Sequence, residues 1–261
     1  MTQPYIATTT TMNMKKVTSA ETTAAEATIA ATTKNMEFFL ASIEFLNDEG
    51  IFNKFLKFAS KERQEKALAY SHQIGRARSL GAGLLLDEAL RRTCKQVPLP
   101  AEISFDKHGA PSLKGFDGVF ISISHAGNYA AAAVSSLPVG VDIETIRKCR
   151  PGICKKCFTP EEAALVLSQK TPEETDAVFS KLWTRKESYI KAIGKGLAQS
   201  LSEFSVLDDE IIKNGSHTGF FCKSYLPKAD CIVSVCSEKD ADFPQEISIV
   251  DLQASLKASA S

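Results

Sequence analysis

Two short acidic segments about forty residues apart place the strongest constraint on how this chain can fold. The first is Gly140-Val141-Asp142-Ile143-Glu144. It reads as a strand, and residues two apart on a strand share a face, so Asp142 and Glu144 project together. The second is Trp183-Thr184-Arg185-Lys186-Glu187-Ser188-Tyr189-Ile190-Lys191. It reads as a helix with Phe179, Trp183, Glu187 and Ile190 on one stripe, so a carboxylate stands where an apolar side chain would face the core. A charge there is costly without a partner. Three converging carboxylates suit a hard divalent cation, and lysines beside them point to phosphate chemistry.

The two segments belong to a pattern that runs twice. A charged helix from Lys61 to Tyr70 and a longer one from Arg76 to Lys95 precede strands at Glu102 to Phe105, Val119 to Ser124 and Tyr129 to Val134, with Gly127-Asn128 as a hairpin turn. Gly81 and Gly83 in the long helix allow close packing. A strand at Val139 to Glu144 follows, then two helix starts, Thr159-Pro160-Glu161-Glu162 and Thr171-Pro172-Glu173-Glu174. Each has a Thr N-cap, Pro at the first helical position and Glu at the third. The second helix carries Glu187 and should end near Gly194. Strands at Phe204 to Leu207, Gly219 to Tyr225 and Asp230 to Cys236 come next, and a weaker one at Ile247 to Leu252. Helices then strands, twice over, predict an α+β fold of two similar halves with a site in the cleft between them. The expected boundaries are residues 36–137 and 138–255, with 256–261 a flexible tail.

Residues 1–35 are rich in Thr and Ala and poor in large apolar side chains, which predicts a disordered extension. The apolar pattern begins at Met36, an alternative start of translation. The absence of Arg and the presence of Glu21 and Glu26 argue against a transit peptide. With 44% hydrophobic residues the chain can build a large core. Its 31 basic and 31 acidic residues balance, which argues against a nucleic-acid binder driven by a basic surface. No apolar run approaches the roughly 18 residues of a membrane span. Seven cysteines without a secretory segment suggest a cytoplasmic protein with reduced thiols. Cys149, Cys154 and Cys157 have C-x4-C-x2-C spacing, but a fourth ligand is missing nearby, so free thiols on a basic loop are expected rather than an iron–sulfur cluster.

Asp142 and Glu144, followed by Trp183-x-x-Lys186-Glu187-x-x-x-Lys191, resemble the signature of the 4′-phosphopantetheinyl transferase superfamily, closest to the type that activates surfactin synthetase. Ser60-Lys61-Glu62-Arg63-Gln64-Glu65-Lys66, Arg78-Ser79-Leu80, Gly109-x-Pro111, Ile123-Ser124-His125-x-Gly127 and Gly194-Lys195-Gly196-Leu197 agree with it, in order. The resemblance implies a pseudo-dimer of two α+β halves. It implies transfer of 4′-phosphopantetheine from coenzyme A to a serine of an apo acyl or peptidyl carrier protein, releasing adenosine 3′,5′-bisphosphate. It also implies Mg²⁺ as cofactor, held by Asp142, Glu144 and Glu187, with the chain acting as a monomer.

By the same resemblance Glu187 is the base for the carrier serine, and Lys191 contacts the pyrophosphate and the leaving phosphate. Arg63, Lys66, Arg78 and Ser79 are expected at the nucleotide, particularly its 3′-phosphate, and Ser124 and His125 at the phosphates of coenzyme A. Read without the resemblance, Arg63 and Lys66 would be a solvated helix face. Two readings stand for Lys186, a phosphate contact or a solvated side chain. Where the family often carries Lys, this chain has Ala110, which leaves Lys107 or His108 to replace the missing contact. For the basic stretch Ile146 to Lys156 two readings stand, docking of an acidic carrier, as the resemblance implies, or a solvated loop. Rival readings are a metal-dependent phosphohydrolase, which would need no carrier, and a catalytically silent carrier-binding module.

Overall fold

The computed structural model describes residues 36–196, 199–238 and 243–259. The expected extension, residues 1–35, lies outside them. Strand β1 (Met36–Ser42) opens the first half. Helices α1 (Glu49–Leu56), α2 (Lys61–Leu68) and α3 (Gln73–Thr93) follow. Next come short strands β2 (Ile103–Phe105) and β3 (Pro111–Leu113), then the hairpin β4 (Phe120–Ala126) and β5 (Tyr129–Ser135). The second half begins with β6 (Val139–Thr145), followed by α4 (Pro151–Cys157), α5 (Pro160–Leu167) and α6 (Pro172–Ala192). Strands β7 (Phe204–Ser205), β8 (Glu210–Lys213), β9 (Ser216–Lys228) and β10 (Cys231–Ser237) complete its sheet. Strand β11 (Ser248–Val250) and helix α7 (Leu252–Ser259) close the described chain.

The two halves repeat one plan. In the first sheet, ordered β11-β1-β5-β4, the leading strand β1 lies antiparallel to β5, the last strand of its hairpin. In the second sheet, ordered β6-β10-β9-β8-β7, the leading strand β6 lies antiparallel to β10 in the same way. A helix of 21 residues packs on each sheet, α3 on the first and α6 on the second. This is the α+β pseudo-dimer expected from the sequence.

Strand alternation builds the core in layers. On β1, Phe39 and Ala41 face the helices of the first half, whereas Phe38 and Leu40 face the second half. On β5, Ala130 and Ala132 take the first direction and Ala131 and Ala133 the second. Val139, Val141 and Ile143 of β6 and Val233 and Val235 of β10 complete the layer between the sheets. That leaves Gly140, Asp142 and Glu144 on the opposite face of β6, toward α6.

Local chemistry sets the element ends. Both expected capping boxes form: Thr159 and Thr171 accept from the backbone of Glu162 and Glu174, and each Glu returns the bond. Ser60 accepts from Arg63 N at 3.3 Å and starts α2. Gly127 at φ 53° makes the hairpin turn. Gly81 and Gly83 do let other elements approach α3. A Cβ on Gly81 would meet Ile43, and one on Gly83 would stand 2.8 Å from Arg63.

Three expectations need correction. Strand β11 pairs parallel with β1, and Val250 and Leu252 lie in the core of the first half. Residues 248–259 therefore return to the half where the chain began, rather than ending the second half. Residues 256–259 are part of α7, not a free tail, because Leu256 packs on that core and Ser255 Oγ donates to Glu88 Oε1 at 3.2 Å; residues 260–261 lie outside the described residues. The expected basic loop contains α4, nucleated by Pro151 at its first turn and held by buried Cys154 and Phe158.

Candidate active site

The face of β6 toward α6 can exist because position 140 is glycine. A Cβ there would collide with the Ser188 carbonyl oxygen and stand 2.5 Å from Ala192 N. The helix therefore lies against the strand, and its residues Glu187 and Lys191 come beside Asp142. Lys191 Nζ donates to Asp142 Oδ1 at 2.7 Å and to the Val141 carbonyl at 3.0 Å. Ser124 Oγ, from β4 of the other half, donates to the same carboxylate oxygen at 2.7 Å. The second oxygen, Oδ2, is buried with no hydrogen-bond partner. Such an orphan is an unmet demand for a cation or a donor.

Glu144 and Glu187 are half-buried on the same wall. Burial, then the negative charge of Asp142, raises both carboxyls above their ordinary range. Lys191 and Arg147 oppose this rise in both cases, and the Trp183 side chain bonds Glu144. Arg147 Nη2 stands 3.5 Å from Glu144 Oε1, and its guanidinium lies over the Trp183 ring at 5.0 Å. Among the described residues no group of three or more His, Cys, Asp or Glu is set to hold a metal ion. Asp142, Glu144 and Glu187 nevertheless act on one another electrostatically across the gap between β6 and α6, with Lys191 against Asp142 and Arg147 against Glu144.

A cleft of about 970 Å³ opens along this wall, between the halves. It is lined by Glu187 and Lys191 from α6, by Ser124 and His125 from β4, and by Arg63, Lys66 and Ser79 from α2 and α3. The crowding of the cleft, then the nearby cations Lys191 and Arg78, pushes His125 below the ordinary imidazole range. Arg63 is 7% exposed, and burial lowers its guanidinium pKa. Among the described residues no carboxylate lies within ion-pair distance of it. Ser79 Oγ is buried without a partner. Lys66 Nζ sits over the Phe105 ring at 4.5 Å, and burial followed by the Arg63 charge lowers its pKa. Two cations and a spare hydroxyl in one pocket form a receptor for an anion such as phosphate.

The remaining expected residues lie elsewhere. Arg78 does not line the cleft; its Nε donates to the Gly127 carbonyl at 2.9 Å and buttresses the hairpin that carries His125. Lys186 contradicts both readings of it. It is wholly buried, paired with Glu162 at 2.8 Å, and donates to the Leu201 and Phe204 carbonyls at 2.8 and 2.6 Å. Glu162 also accepts from Thr159 N and Val206 N. The pair knots α5, α6 and β7 together and belongs to the core, because position 186 faces away from the strand that Glu187 approaches. Near the substituted position, Ala110 and His108 line the cleft whereas Lys107 does not.

Gly140, the Ser124–Asp142 bond, Phe105 and the Glu162 partner of Lys186 are parts of the site and its frame that sequence reasoning missed. Only Gly140 left a signal, as a glycine within a strand beside the acidic pair.

A fold with two such halves and a phosphate-ready cleft lined by Glu187 and Lys191, with Asp142 and Glu144 beside them, defines an enzyme of group transfer to or from an anionic substrate. Residues 138–236 match the family model described as the 4′-phosphopantetheinyl transferase superfamily. The chain is 30% identical over 209 residues to the 4′-phosphopantetheinyl transferase ffp of Bacillus subtilis, covering 78% of this chain and 92% of that protein. It is 30% identical to 4′-phosphopantetheinyl transferase Sfp of Bacillus subtilis strain 168, covering 77% and 91%. It is 35% identical to 4′-phosphopantetheinyl transferase gsp of Aneurinibacillus migulanus, covering 60% and 65%. The solved holo-[acyl-carrier-protein] synthase of Thermotoga maritima overlays with a TM-score of 0.29 at 20% identity, over 40% of this chain and 64% of that one, too loosely to carry an argument.

The chain belongs to the 4′-phosphopantetheinyl transferase superfamily and is an enzyme of that class, of the Sfp type.

Proposed function

We propose that this enzyme moves the 4′-phosphopantetheine arm of coenzyme A onto a serine hydroxyl of an apo carrier protein, releasing adenosine 3′,5′-bisphosphate. One observation carries the coenzyme A reading: Arg63 is buried, with no ion-pair partner among the described residues, in the cleft that also holds Glu187 and Lys191. A guanidinium taken out of water needs an anion, and the substrate brings three phosphates.

Arg63, Lys66 and Ser79 would grip the nucleotide end. His125, at the mouth of β4, would contact the phosphates, and its lowered pKa makes it a neutral donor at neutral pH. Glu187 would accept the serine proton as the oxygen attacks phosphorus. Burial and the neighbouring carboxylates raise its pKa, which makes it a stronger base than an ordinary carboxylate. Lys191 would steady the departing phosphate oxygen. Asp142, Glu144 and Glu187 would hold Mg²⁺, whose hard-oxygen preference fits the donor set and the orphaned Asp142 Oδ2. When bound, that ion supplies charge neutralisation at the pyrophosphate.

The exposed cations Lys148, Arg150, Lys155 and Lys156 after β6 would face the acidic surface of the carrier. Arg147 is less available, being held by Glu144. Since the two halves already form the cleft, a monomer is sufficient. No described helix is long and apolar enough to cross a membrane, in keeping with a cytoplasmic enzyme.

Arg63→Met tests the nucleotide grip. It should raise the KM for coenzyme A by about 10- to 100-fold, as expected on losing a charge-assisted contact, and leave that for the carrier alone. An unchanged KM for coenzyme A would remove the coenzyme A reading of the cleft.

A further inference from the structure

Two thiols that the cleft does not use lie sulfur to sulfur. Cys149 Sγ stands 3.3 Å from Cys154 Sγ. Both are held in place. The Cys149 amide donates to Asp176 Oδ1 on α6 at 2.7 Å, and two residues earlier the Arg147 amide donates to Ser180 Oγ at 3.1 Å. Cys154 is fully buried on α4 among Phe158, Val166 and Phe179. A disulfide needs about 2.05 Å between sulfurs, so closure asks for a movement of about 1 Å from a segment already strapped at both ends.

Access differs between the two. Cys149 is half-buried, whereas Cys154 has no exposed surface. Cys222 and Cys236 also face each other, across β9 and β10, but both are buried beyond reach of solvent. Cys157, one helical turn past Cys154, is half-buried and competes as a partner.

We propose that Cys149 and Cys154 are a modification site, closing to a reversible disulfide when a peroxide reaches Cys149. In the first step the Cys149 sulfur attacks one peroxide oxygen, the O–O bond breaks, and water leaves, giving a sulfenic acid. In the second, Cys154 Sγ attacks Cys149 Sγ and the S–O bond breaks. The hydroxide leaves with the Cys154 proton as a second water. Two thiols and one peroxide give one disulfide and two waters. Burial pushes the Cys154 thiol up to about 12, so it arrives with that proton attached. The ring would tie the exit of the acidic strand, where Arg147 holds Glu144, to the start of α4.

Arg150 precedes Pro151, so trypsin leaves both cysteines in one peptide, 149–155. The full chain is treated with hydrogen peroxide, alkylated, digested and weighed. The expected product is that peptide two hydrogens lighter and unalkylated, restored by dithiothreitol, lost in Cys149→Ser and retained in Cys157→Ser. The oxidised protein should melt higher by about 5 °C, the gain expected for a short cross-linked loop in a chain of this size, and oxidised Cys149→Ser should not. Cys149 is half-buried, so its serine variant remains a sound control even if Cys154→Ser fails to fold. Linkage of Cys149 to Cys157, or over-oxidation of Cys149 with Cys154 still alkylated, would overturn the proposal.

Discussion

Lys191 Nζ and Asp142 Oδ1 stand 2.7 Å apart where helix α6 meets strand β6, and Ser124 from the other half closes on the same oxygen. One carboxylate thus joins both halves of the molecule through two residues that line the cleft. Lys191→Met leaves that charge with Ser124 as its remaining side-chain donor. The pair is partly screened, so a loss of about 1–2 kcal/mol is expected by urea unfolding. The turnover number should fall by about 100-fold, the scale of one lost electrostatic contact at a developing charge. A variant with wild-type turnover would remove Lys191 from the chemistry.

Gly140 sets how near α6 comes. Gly140→Ala places a Cβ into the Ser188 carbonyl, and backbone cannot give way cheaply. A loss of about 3 kcal/mol or more is expected, at the upper end of overpacking costs. The folded fraction should be poor in activity because Glu187 and Lys191 move with the helix. Unchanged thermal stability would contradict the close approach.

The buried Lys186–Glu162 pair makes a separate test. Lys186→Met leaves Glu162 charged in a dry core and should cost about 3–5 kcal/mol. Lys186→Met with Glu162→Gln should recover part of it. Coenzyme A affinity of the folded enzyme should be unchanged. A weakened affinity without a stability loss would instead put Lys186 at the phosphates.

Asp87 accepts from Ala101 N at 2.9 Å behind Arg63, and burial pushes its carboxyl up from 3.8 to about 6. Between those values the folded chain keeps a proton that the unfolded chain has lost. Its stabilising contribution is therefore complete below about pH 4 and declines as pH rises through 6, by about 2–3 kcal/mol in all. Asp87→Asn keeps the acceptor for Ala101 and should flatten that slope. Urea midpoints from pH 4 to pH 7 compare the two; parallel profiles would show that Asp87 carries no such shift.

Much of this molecule was legible in its sequence because the cues are local. Thr159 and Thr171 announce their helices, Gly127-Asn128 announces its turn, and the helix–strand order repeats. Asp142 and Glu144 share a face as period-two spacing requires. What escaped depends on contacts far apart in the chain. Nothing near Ser248 says that β11 will pair with β1, and nothing near Lys186 names Glu162. Helical spacing puts Lys186 about 100° from Glu187, but the sequence does not say that this direction is core. Likewise nothing in the acidic motif says that Asp142 will pair with Lys191 and Glu144 with Arg147.

The most direct test incubates the purified enzyme with coenzyme A, Mg²⁺ and several apo carrier proteins and weighs the carriers intact. One phosphopantetheine on the carrier serine is expected, abolished by EDTA and by Glu187→Gln. Consumption of coenzyme A with no carrier gaining mass would contradict the transferase assignment and point to a hydrolase.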